Sequence, residues 1–245
     1  MSLDRRGFLG LGVAATAGVA VIPGLRLIDL VRARSPEEAA SALQRWGLLI
    51  DITKCADCDA CVTACHEENG ISGHVSGHGR PETDAQWIRK VSLRDQRTGH
   101  AQTLPMMCQH CEHPPCVDVC PTGASFKRAD GIVLVDKHTC IGCRYCVMAC
   151  PYGARSFIHE TVNGQKPDVP RGKGTVESCT LCVHRVDRGE TPACVEACKR
   201  DGGNAMAFGD LNDASAEIHR RLRSEPSTQV RADLALNTGV RYQGL

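Results

Sequence analysis

The sequence predicts an α+β fold in which two similar units are nested, with short helices and hairpins, long loops and an extended C-terminal arm. Three observations support this fold class. Only 4% of the 245 residues are aromatic, yet the chain has sixteen cysteines. These cysteines fall into four groups of four, and a segment after the second group is repeated after the third. A chain with so few rings must fill its core by other means, and we expect the cysteines and what they bind to do this.

Composition places the chain among ordinary globular proteins. Hydrophobic residues make up 42% and charged residues 23%, which excludes collagen-like, coiled-coil and wholly disordered classes. Lysine and arginine together number 29 and aspartate and glutamate 28, for a formal charge of +1. This balance predicts no nucleic-acid partner.

Residues 1–33 are predicted to be a twin-arginine export signal. Arg5 and Arg6 precede a weakly apolar run from Phe8 to Ile22, which is shorter than the roughly 20 residues that span a membrane. Small residues before and at Ala33 suit cleavage there. The alternative is a short basic anchor helix. Because the twin-arginine route exports folded proteins, we expect a periplasmic protein that carries cofactors inserted in the cytoplasm and meets the membrane only through a partner.

The spacing of the cysteines predicts iron–sulfur clusters. The first and third quartets share the spacing C-x2-C-x2-C-x3-C, the second has a longer middle gap, and the fourth is split by eleven residues. In chain order the quartets are Cys55, Cys58, Cys61 and Cys65; Cys108, Cys111, Cys116 and Cys120; Cys140, Cys143, Cys146 and Cys150; and Cys179, Cys182, Cys194 and Cys198. The compact spacing is typical of bacterial ferredoxins, in which the fourth cysteine binds the other cluster of a pair. Four [4Fe-4S] clusters are therefore expected.

Other uses of cysteine fit the spacing less well. Disulfides are allowed outside the cytoplasm, but cysteines three residues apart pair poorly. Zinc sites use separated C-x-x-C pairs rather than triplets followed by a single cysteine. Covalent haem requires C-x-x-C-H, a string that the sequence lacks.

An internal repeat predicts how the quartets pair. Cys120–Phe126 matches Cys150–Phe157 with one insertion, and Pro121 and Pro151 follow the last cysteine of each quartet. Ser125–Lys127 and Ile132–Val135 flank an Asp-Gly turn and are predicted to form a hairpin.

The four-cluster domain is predicted at residues 34–210. It has an inner unit at 105–160 and an outer unit at 47–70 plus 175–210, with strands at Leu48–Ile52 and Ala205–Phe208. Nesting gives each cluster three cysteines of one quartet and one of the paired quartet. The predicted sets are Cys108, Cys111, Cys116 and Cys150; Cys140, Cys143, Cys146 and Cys120; Cys55, Cys58, Cys61 and Cys198; and Cys179, Cys182, Cys194 and Cys65.

Residues 211–245 are predicted to form a C-terminal helix and an extended arm. The polar stretch Leu211–Ser224 reads as the helix, with Asp213 or Ser215 as its N-cap. From Thr228 onward the sequence lacks periodicity, so we expect an arm lying on this subunit or its partner.

Together these features resemble a known family, the periplasmic four-cluster ferredoxin-type electron-transfer subunits of respiratory complexes, such as the DmsB, PsrB and NrfC proteins. The resemblance covers Gly47 to Gly209. The sequence is most similar to DsrO-type subunits of sulfite-reductase-linked Dsr membrane complexes. Three segments carry this similarity: VDKHTCIGCRYC from Val135, GKGTVESC from Gly172 and the tail LNTGVRYQGL from Leu236. This resemblance implies a subunit without a catalytic site, partnered by an NrfD-like integral membrane quinone-reactive subunit and by a multihaem cytochrome c or another redox subunit.

Two other functions remain open. Within the same class, the chain would serve a molybdopterin-dependent reductase or a periplasmic hydrogenase. In a different class, it would be a small redox enzyme or sensor that reacts at an incompletely ligated cluster. Sixteen cysteines for four clusters leave no iron open, which disfavours the second option.

Several further residues have two interpretations each. The Gly-, Ser- and His-rich stretch Asn69–Pro81, with His74 and His78, is either a metal or docking loop or a surface excursion. His110 and His113 either tune a cluster or only pack beside it. The same choice, between tuning and ordinary surface charge, applies to Lys127, Arg128 and Arg144.

Overall fold

Short elements joined by long loops make up the described chain. The computed structural model describes residues 40–55, 58–71, 85–163 and 165–245. The predicted export signal at 1–33 and the histidines His74 and His78 lie outside these described residues.

Helices and strands alternate along the chain, as an α+β fold requires. The strands are β1 (Trp46–Asp51), β2 (Ile88–Arg94), β3 (Ala101–Met107), β4 (Ser125–Lys127), β5 (Val133–Val135), β6 (Ser156–Phe157), β7 (Val176–Glu177), β8 (Met206–Asp210) and β9 (Val240–Gln243). The helices are α1 (Ala60–Glu68), α2 (Pro115–Asp118), α3 (Tyr145–Ala149), α4 (Val183–Val186), α5 (Ala193–Asp201) and α6 (Glu217–Ser224), with a 3-10 turn at Ala232–Leu234.

A three-stranded sheet with the order β8-β1-β9 lies beside the first and last quartets. β1 runs antiparallel to β8 and parallel to β9. Leu48 and Ile50 pack into the larger core, while Leu49, on the opposite face, packs against Ile218 of α6. A strand buried on both faces reads as a continuous apolar run, and the predicted strands at Leu48–Ile52 and Ala205–Phe208 are confirmed.

The C-terminal segment differs from a peripheral arm because its last residues complete the central sheet. Tyr242 of β9 is fully buried, and its hydroxyl donates a hydrogen bond to the Pro105 carbonyl at 2.9 Å. A four-residue strand is too short to show periodicity, and its pairing with β1 is a long-range contact. The sequence therefore carried no local signal for it.

The C-terminal helix begins later than predicted. α6 starts at Glu217, and its N-cap is Ala216 rather than Asp213 or Ser215. The Asp213 carboxylate instead accepts hydrogen bonds from the Ser215 backbone N–H and hydroxyl. Aspartate and serine often form such local turns. Because the two side chains bond to each other here, neither caps the helix that follows.

Three hairpin-like pairs connect the remaining strands. The predicted hairpin at β4 and β5 is confirmed, and Gly131 in its turn has a φ of +86°. β2 and β3 form a longer hairpin that was not predicted from the sequence, and β6 pairs with β7.

Cysteines are part of the hydrophobic core, as the scarcity of aromatic residues led us to expect. The larger buried cluster surrounds Trp87 and Tyr242 and includes cysteines of the first and fourth quartets. The second surrounds Val133 and Tyr152 and includes cysteines of the second and third. Within the described residues, no helix combines the length and apolarity needed to cross a membrane.

Strand β9 should be necessary for stability. Deleting residues 240–245 removes the buried side chains of Val240 and Tyr242, and burial of each contributes about 1.5–3 kcal/mol. We expect the midpoint of thermal unfolding, followed by circular dichroism without oxygen, to fall by roughly 10 °C. The control deletes only residues 244–245, which lie beyond β9 and are exposed, and should leave the midpoint within a few degrees. An unchanged midpoint in the longer deletion would mean that β9 is a loose arm.

Candidate metal centres

The opening C-x-x-C turns of the second, third and fourth quartets each pass through a residue with left-handed backbone. The third residue of the turn is His110 (φ +44°), Gly142 (φ +71°) or Leu181 (φ +56°). The corresponding residue of the first quartet lies outside the described part of the chain. Such conformations cost about 1–3 kcal/mol for residues other than glycine and concentrate at functional sites. At Gly142 a side chain is also excluded by space, because a Cβ would lie 2.2 Å from the Gly174 carbonyl oxygen.

Pairs of cysteines four residues apart lie on the two longest cysteine-bearing helices. α1 carries Cys61 and Cys65, and α5, which packs against it, carries Cys194 and Cys198. Four residues are just over one helical turn, so the two thiols of a pair share one side of the helix and are displaced by about 6 Å along it. The fourth cysteine of a quartet is thus moved along the helix axis rather than turned to the opposite face.

Three cavities are each lined by four cysteines. Each cavity takes three cysteines from one quartet and the fourth from its paired quartet. The first cavity is lined by Cys108, Cys111, Cys116 and Cys150. The second is lined by Cys120, Cys140, Cys143 and Cys146. The third is lined by Cys65, Cys179, Cys182 and Cys194.

The remaining four cysteines also lie together. Cys61 is close enough to Cys198, Cys55 and Cys58 for their charges to repel. We name the groups of cysteines as sets, which differ from the quartets. The first, second and third sets line the first, second and third cavities, and the fourth set is Cys55, Cys58, Cys61 and Cys198. Among the described residues, which include every cysteine, no disulfide is formed.

The cavities have the chemistry for a cluster of several atoms, because each is lined by four thiols. In the described chain, no three His, Cys, Asp or Glu side chains converge closely enough to hold a single metal ion. The cysteines surround the cavities instead of meeting at one point, which suits an eight-atom [4Fe-4S] cube.

Two buried hydrogen-bond donors at the first cavity lack an acceptor. They are the Tyr152 hydroxyl and Nε of Arg155, and both residues line the cavity. Buried polar groups nearly always have a hydrogen-bond partner, so we expect a bound group at this cavity to supply an acceptor. The sulfur atoms of a cluster would supply it.

Burial and mutual repulsion make the thiols hard to ionise on their own. Burial, with repulsion from Cys198, raises the pKa of Cys61 to about 12. Burial, with repulsion from Cys116, likewise raises the pKa of Cys111 to about 12. Thiolates packed in this way need cations in their midst, and iron would provide them.

Backbone hydrogen bonds to the sulfur of the last cysteine occur in both copies of the repeat, from neighbouring positions. The Ser125 N–H donates to Cys120 Sγ at 3.3 Å, and the Ala154 N–H donates to Cys150 Sγ at 3.4 Å. Burial acts to raise the pKa of Cys120, but the bonds from Ser125 and Thr122 outweigh it and lower the pKa. Donors that face cluster ligands raise the reduction potential of the cluster.

The basic residues singled out from sequence have other partners. Lys127 pairs with Glu112 at 2.6 Å, Arg128 pairs with Asp130 and Asp187, and the Arg144 guanidinium lies over the Phe157 ring.

The two histidines near the second quartet differ in their surroundings. His110 is buried and accepts a hydrogen bond at Nδ1 from the Val133 N–H at 3.1 Å, whereas His113 is exposed. His110 therefore serves the packing of β5 beside the turn.

Three side chains at the cysteine sets were not predicted from the sequence. Tyr152 and Arg155 line the first cavity, and Asn69 donates from Nδ2 to the Cys65 carbonyl at 2.7 Å at the edge of the third. One signal pointed to Arg155. It is the inserted residue that distinguishes Gly-Ala-Arg-Ser-Phe in the second copy of the repeat from Gly-Ala-Ser-Phe in the first.

Electrostatic interactions between cysteines of different sets link the sets in a linear order. Cys146 of the second set lies near Cys116 of the first. Cys108 of the first set lies near Cys179 of the third. Cys194 of the third set lies near Cys61 of the fourth. The order is therefore second, first, third, fourth.

Comparison with known proteins identifies the family. Two models described as 4Fe-4S dicluster domains match residues 54–124 and 99–211. The chain is 40% identical to the Hdr-like menaquinol oxidoreductase iron-sulfur subunit 1 of Archaeoglobus fulgidus, over 99% of this chain and 98% of that protein. It is 38% identical to a tetrathionate reductase subunit of Salmonella typhimurium, over 89% and 78%. It is 36% identical to NrfC of Escherichia coli, over 97% and 93%.

These matches agree with the α+β fold and with sixteen cysteines arranged in fours. The chain belongs to the 4Fe-4S dicluster family of ferredoxin-like iron–sulfur subunits, and it is an electron-transfer subunit that carries four [4Fe-4S] clusters.

Proposed function

We propose that the chain relays single electrons between two redox partners at opposite ends of a row of four clusters. The observation that carries this proposal is the linear order in which cysteines of neighbouring sets lie close enough to interact electrostatically: second, first, third and fourth. Each [4Fe-4S] cluster, when bound, accepts and releases one electron. The protein holds the sets in place, excludes water from them and tunes them with hydrogen bonds and charge.

In this proposal each set binds one cluster. The ligands are Cys120, Cys140, Cys143 and Cys146; Cys108, Cys111, Cys116 and Cys150; Cys65, Cys179, Cys182 and Cys194; and Cys55, Cys58, Cys61 and Cys198. The inner unit at 105–160 carries the first two sets and the outer unit at 47–70 plus 175–210 carries the others. The packing of α1 on α5 and of α2 on α3 supports this nested division.

Exposure of the cysteines supports entry and exit at the two ends of the row. In each of the two middle sets, three of the four cysteines are buried. The second set has one buried cysteine, and its Cys143 is exposed; the fourth set has two buried. Electrons would therefore pass to partners at the second and fourth sets.

We propose that the partners are an NrfD-like integral membrane quinone-reactive subunit and a multihaem cytochrome c or another redox subunit. The relative from Archaeoglobus fulgidus is named as part of a menaquinol oxidoreductase, which supports a link to quinones. Relatives named as subunits of a tetrathionate reductase and of a sulfite dehydrogenase support a place in sulfur metabolism, as in a Dsr-type complex.

A molybdopterin-dependent reductase is the second candidate for the complex. The observation that favours it is the 37% identity to a putative dimethyl sulfoxide reductase iron-sulfur subunit of Halobacterium salinarum. Purifying the native complex with this subunit separates the two. Haem in the complex without molybdenum supports the Dsr-type assignment, and molybdenum supports the reductase.

We propose further that residues 1–33 direct twin-arginine export, so that the mature subunit is periplasmic and membrane-associated only through its partners. Replacing Arg5 and Arg6 with lysine should retain the protein, with its clusters, in the cytoplasm. Cell fractionation with immunoblotting measures this. The matched control replaces Arg26 and Arg32 with lysine and should leave export unchanged. Normal export of the Arg5→Lys/Arg6→Lys variant would contradict the assignment.

Exchange of the fourth cysteine makes a specific prediction for single variants. Cys111→Ser and Cys150→Ser should disturb the same cluster, although these residues belong to different quartets, because both line the first cavity. Cys146→Ser should disturb a different cluster, although it shares a quartet with Cys150. Anaerobic EPR of the reduced variants, with iron analysis against the sixteen atoms expected for four clusters, measures which signal changes.

If Cys150→Ser and Cys146→Ser change the same signal while Cys111→Ser changes another, each quartet binds its own cluster and the proposed exchange is wrong.

A further inference from the structure

Arg155 lies where two neighbouring cysteine sets meet. Its guanidinium donates from Nη2 to Cys116 Sγ of the first set at 3.1 Å, and it lies close enough to Cys146 of the second set to interact with that thiol's charge. Nη1 donates to the Ser125 hydroxyl at 2.6 Å. One planar cation is thus held between ligands of two different sets.

Burial makes the charge of this arginine expensive unless an anion compensates it. Arg155 is only 4% exposed, and the hydrogen-bond partners that the structure gives it are the Ser125 hydroxyl and the Cys116 thiol. The other buried arginine beside a cysteine unit, Arg171, has a carboxylate partner, Glu177, at 3.0 Å. A buried cation without such compensation is strongly destabilising. Negative charge on the cysteine sets themselves is the compensation available to Arg155.

A third donor of the same guanidinium is still unused. Nε of Arg155 is buried and has no hydrogen-bond partner in the described chain, and the residue lines the first cavity. The sulfur atoms of a bound cluster would satisfy it, so this donor too would serve the junction of the two sets.

The repeat gives independent support. The first copy, Gly123-Ala124-Ser125-Phe126, has no residue that corresponds to Arg155 in the second copy. The inserted arginine instead binds Ser125 of the first copy. A single insertion therefore places one charge in the inner pair, shared by both of its sets.

We propose that Arg155 is a cation shared by the first and second sets, and that it raises the reduction potentials of the two clusters bound there. This inference rests on the ligand sets proposed above. Reduction adds negative charge to a cluster, and a fixed cation beside the ligands stabilises the reduced form more than the oxidised form. The effect is large where water is excluded, and hydrogen bonds to the ligand sulfurs act in the same direction.

Replacing Arg155 with glutamine tests the proposal in the full-length, cluster-loaded protein. Anaerobic potentiometric titration followed by EPR should show two of the four potentials lowered by at least the 59 mV that corresponds to a tenfold change in a one-electron equilibrium. The other two potentials should stay near their wild-type values. No lowering, or an equal lowering of all four, would overturn the proposal.

Arg144→Gln is the matched control. It removes the same charge from an exposed residue next to Cys143, where water screens the charge. All four potentials should change by less than 59 mV, the shift that corresponds to a tenfold change in a one-electron equilibrium. If this variant lowers the same two potentials as much as Arg155→Gln, general surface charge rather than the buried junction explains the effect, and the proposal is wrong.

A measurement on the wild-type protein covers the case in which Arg155→Gln fails to assemble. Arginine labelled with ¹⁵N only in its guanidinium should give ¹⁵N hyperfine couplings in pulsed EPR on two reduced clusters, and Arg144→Gln should retain them. Absence of these couplings from a protein that has four clusters would overturn the role of Arg155 alone. A wild-type protein without four clusters would overturn the proposed ligand sets and this inference together.

Discussion

The structure depends on the burial of cysteine thiols that repel one another. Burial and neighbouring thiols raise the pKa of Cys61 and of Cys111 to about 12, so a compact chain with ionised thiolates and nothing among them would be unstable. Iron within the sets removes this conflict by replacing protons with cations. Because each set takes its fourth cysteine from a distant part of the chain, iron bound by all four cysteines would also hold those parts together. Folding and cluster insertion should therefore be closely linked.

Local patterns in the sequence predicted the parts of the fold that depend on local geometry. The hairpin of β4 and β5 follows from an Asp-Gly turn between apolar residues, and β1 follows from a continuous apolar run. Strand β9 was not predicted because its burial comes entirely from long-range pairing with β1. The start of α6 was misplaced because Asp213 and Ser215 satisfy each other in a turn, although either residue is a good N-cap by type.

Cysteine spacing indicated which thiols lie together because cluster geometry leaves few alternatives. It gave no information on the donors that surround them, since a hydrogen bond to sulfur arises from side chains that are distant in sequence. Two basic residues that follow the second quartet in sequence, Lys127 and Arg128, are paired with carboxylates. The arginine that does contact the sets, Arg155, is a one-residue insertion in a repeat. A break in a repeat was therefore a better guide to the electrostatics of the site than closeness along the chain.

We propose that four sets of cysteines hold four clusters in a row. Each set takes its fourth cysteine from the paired quartet. Anomalous diffraction at the iron absorption edge, from crystals grown without oxygen, tests it most directly. We expect four separate iron centres in the order second, first, third and fourth set, each bonded to all four cysteines of its set. Fewer centres, or a centre bonded to Cys108, Cys111, Cys116 and Cys120 of a single quartet, would contradict it.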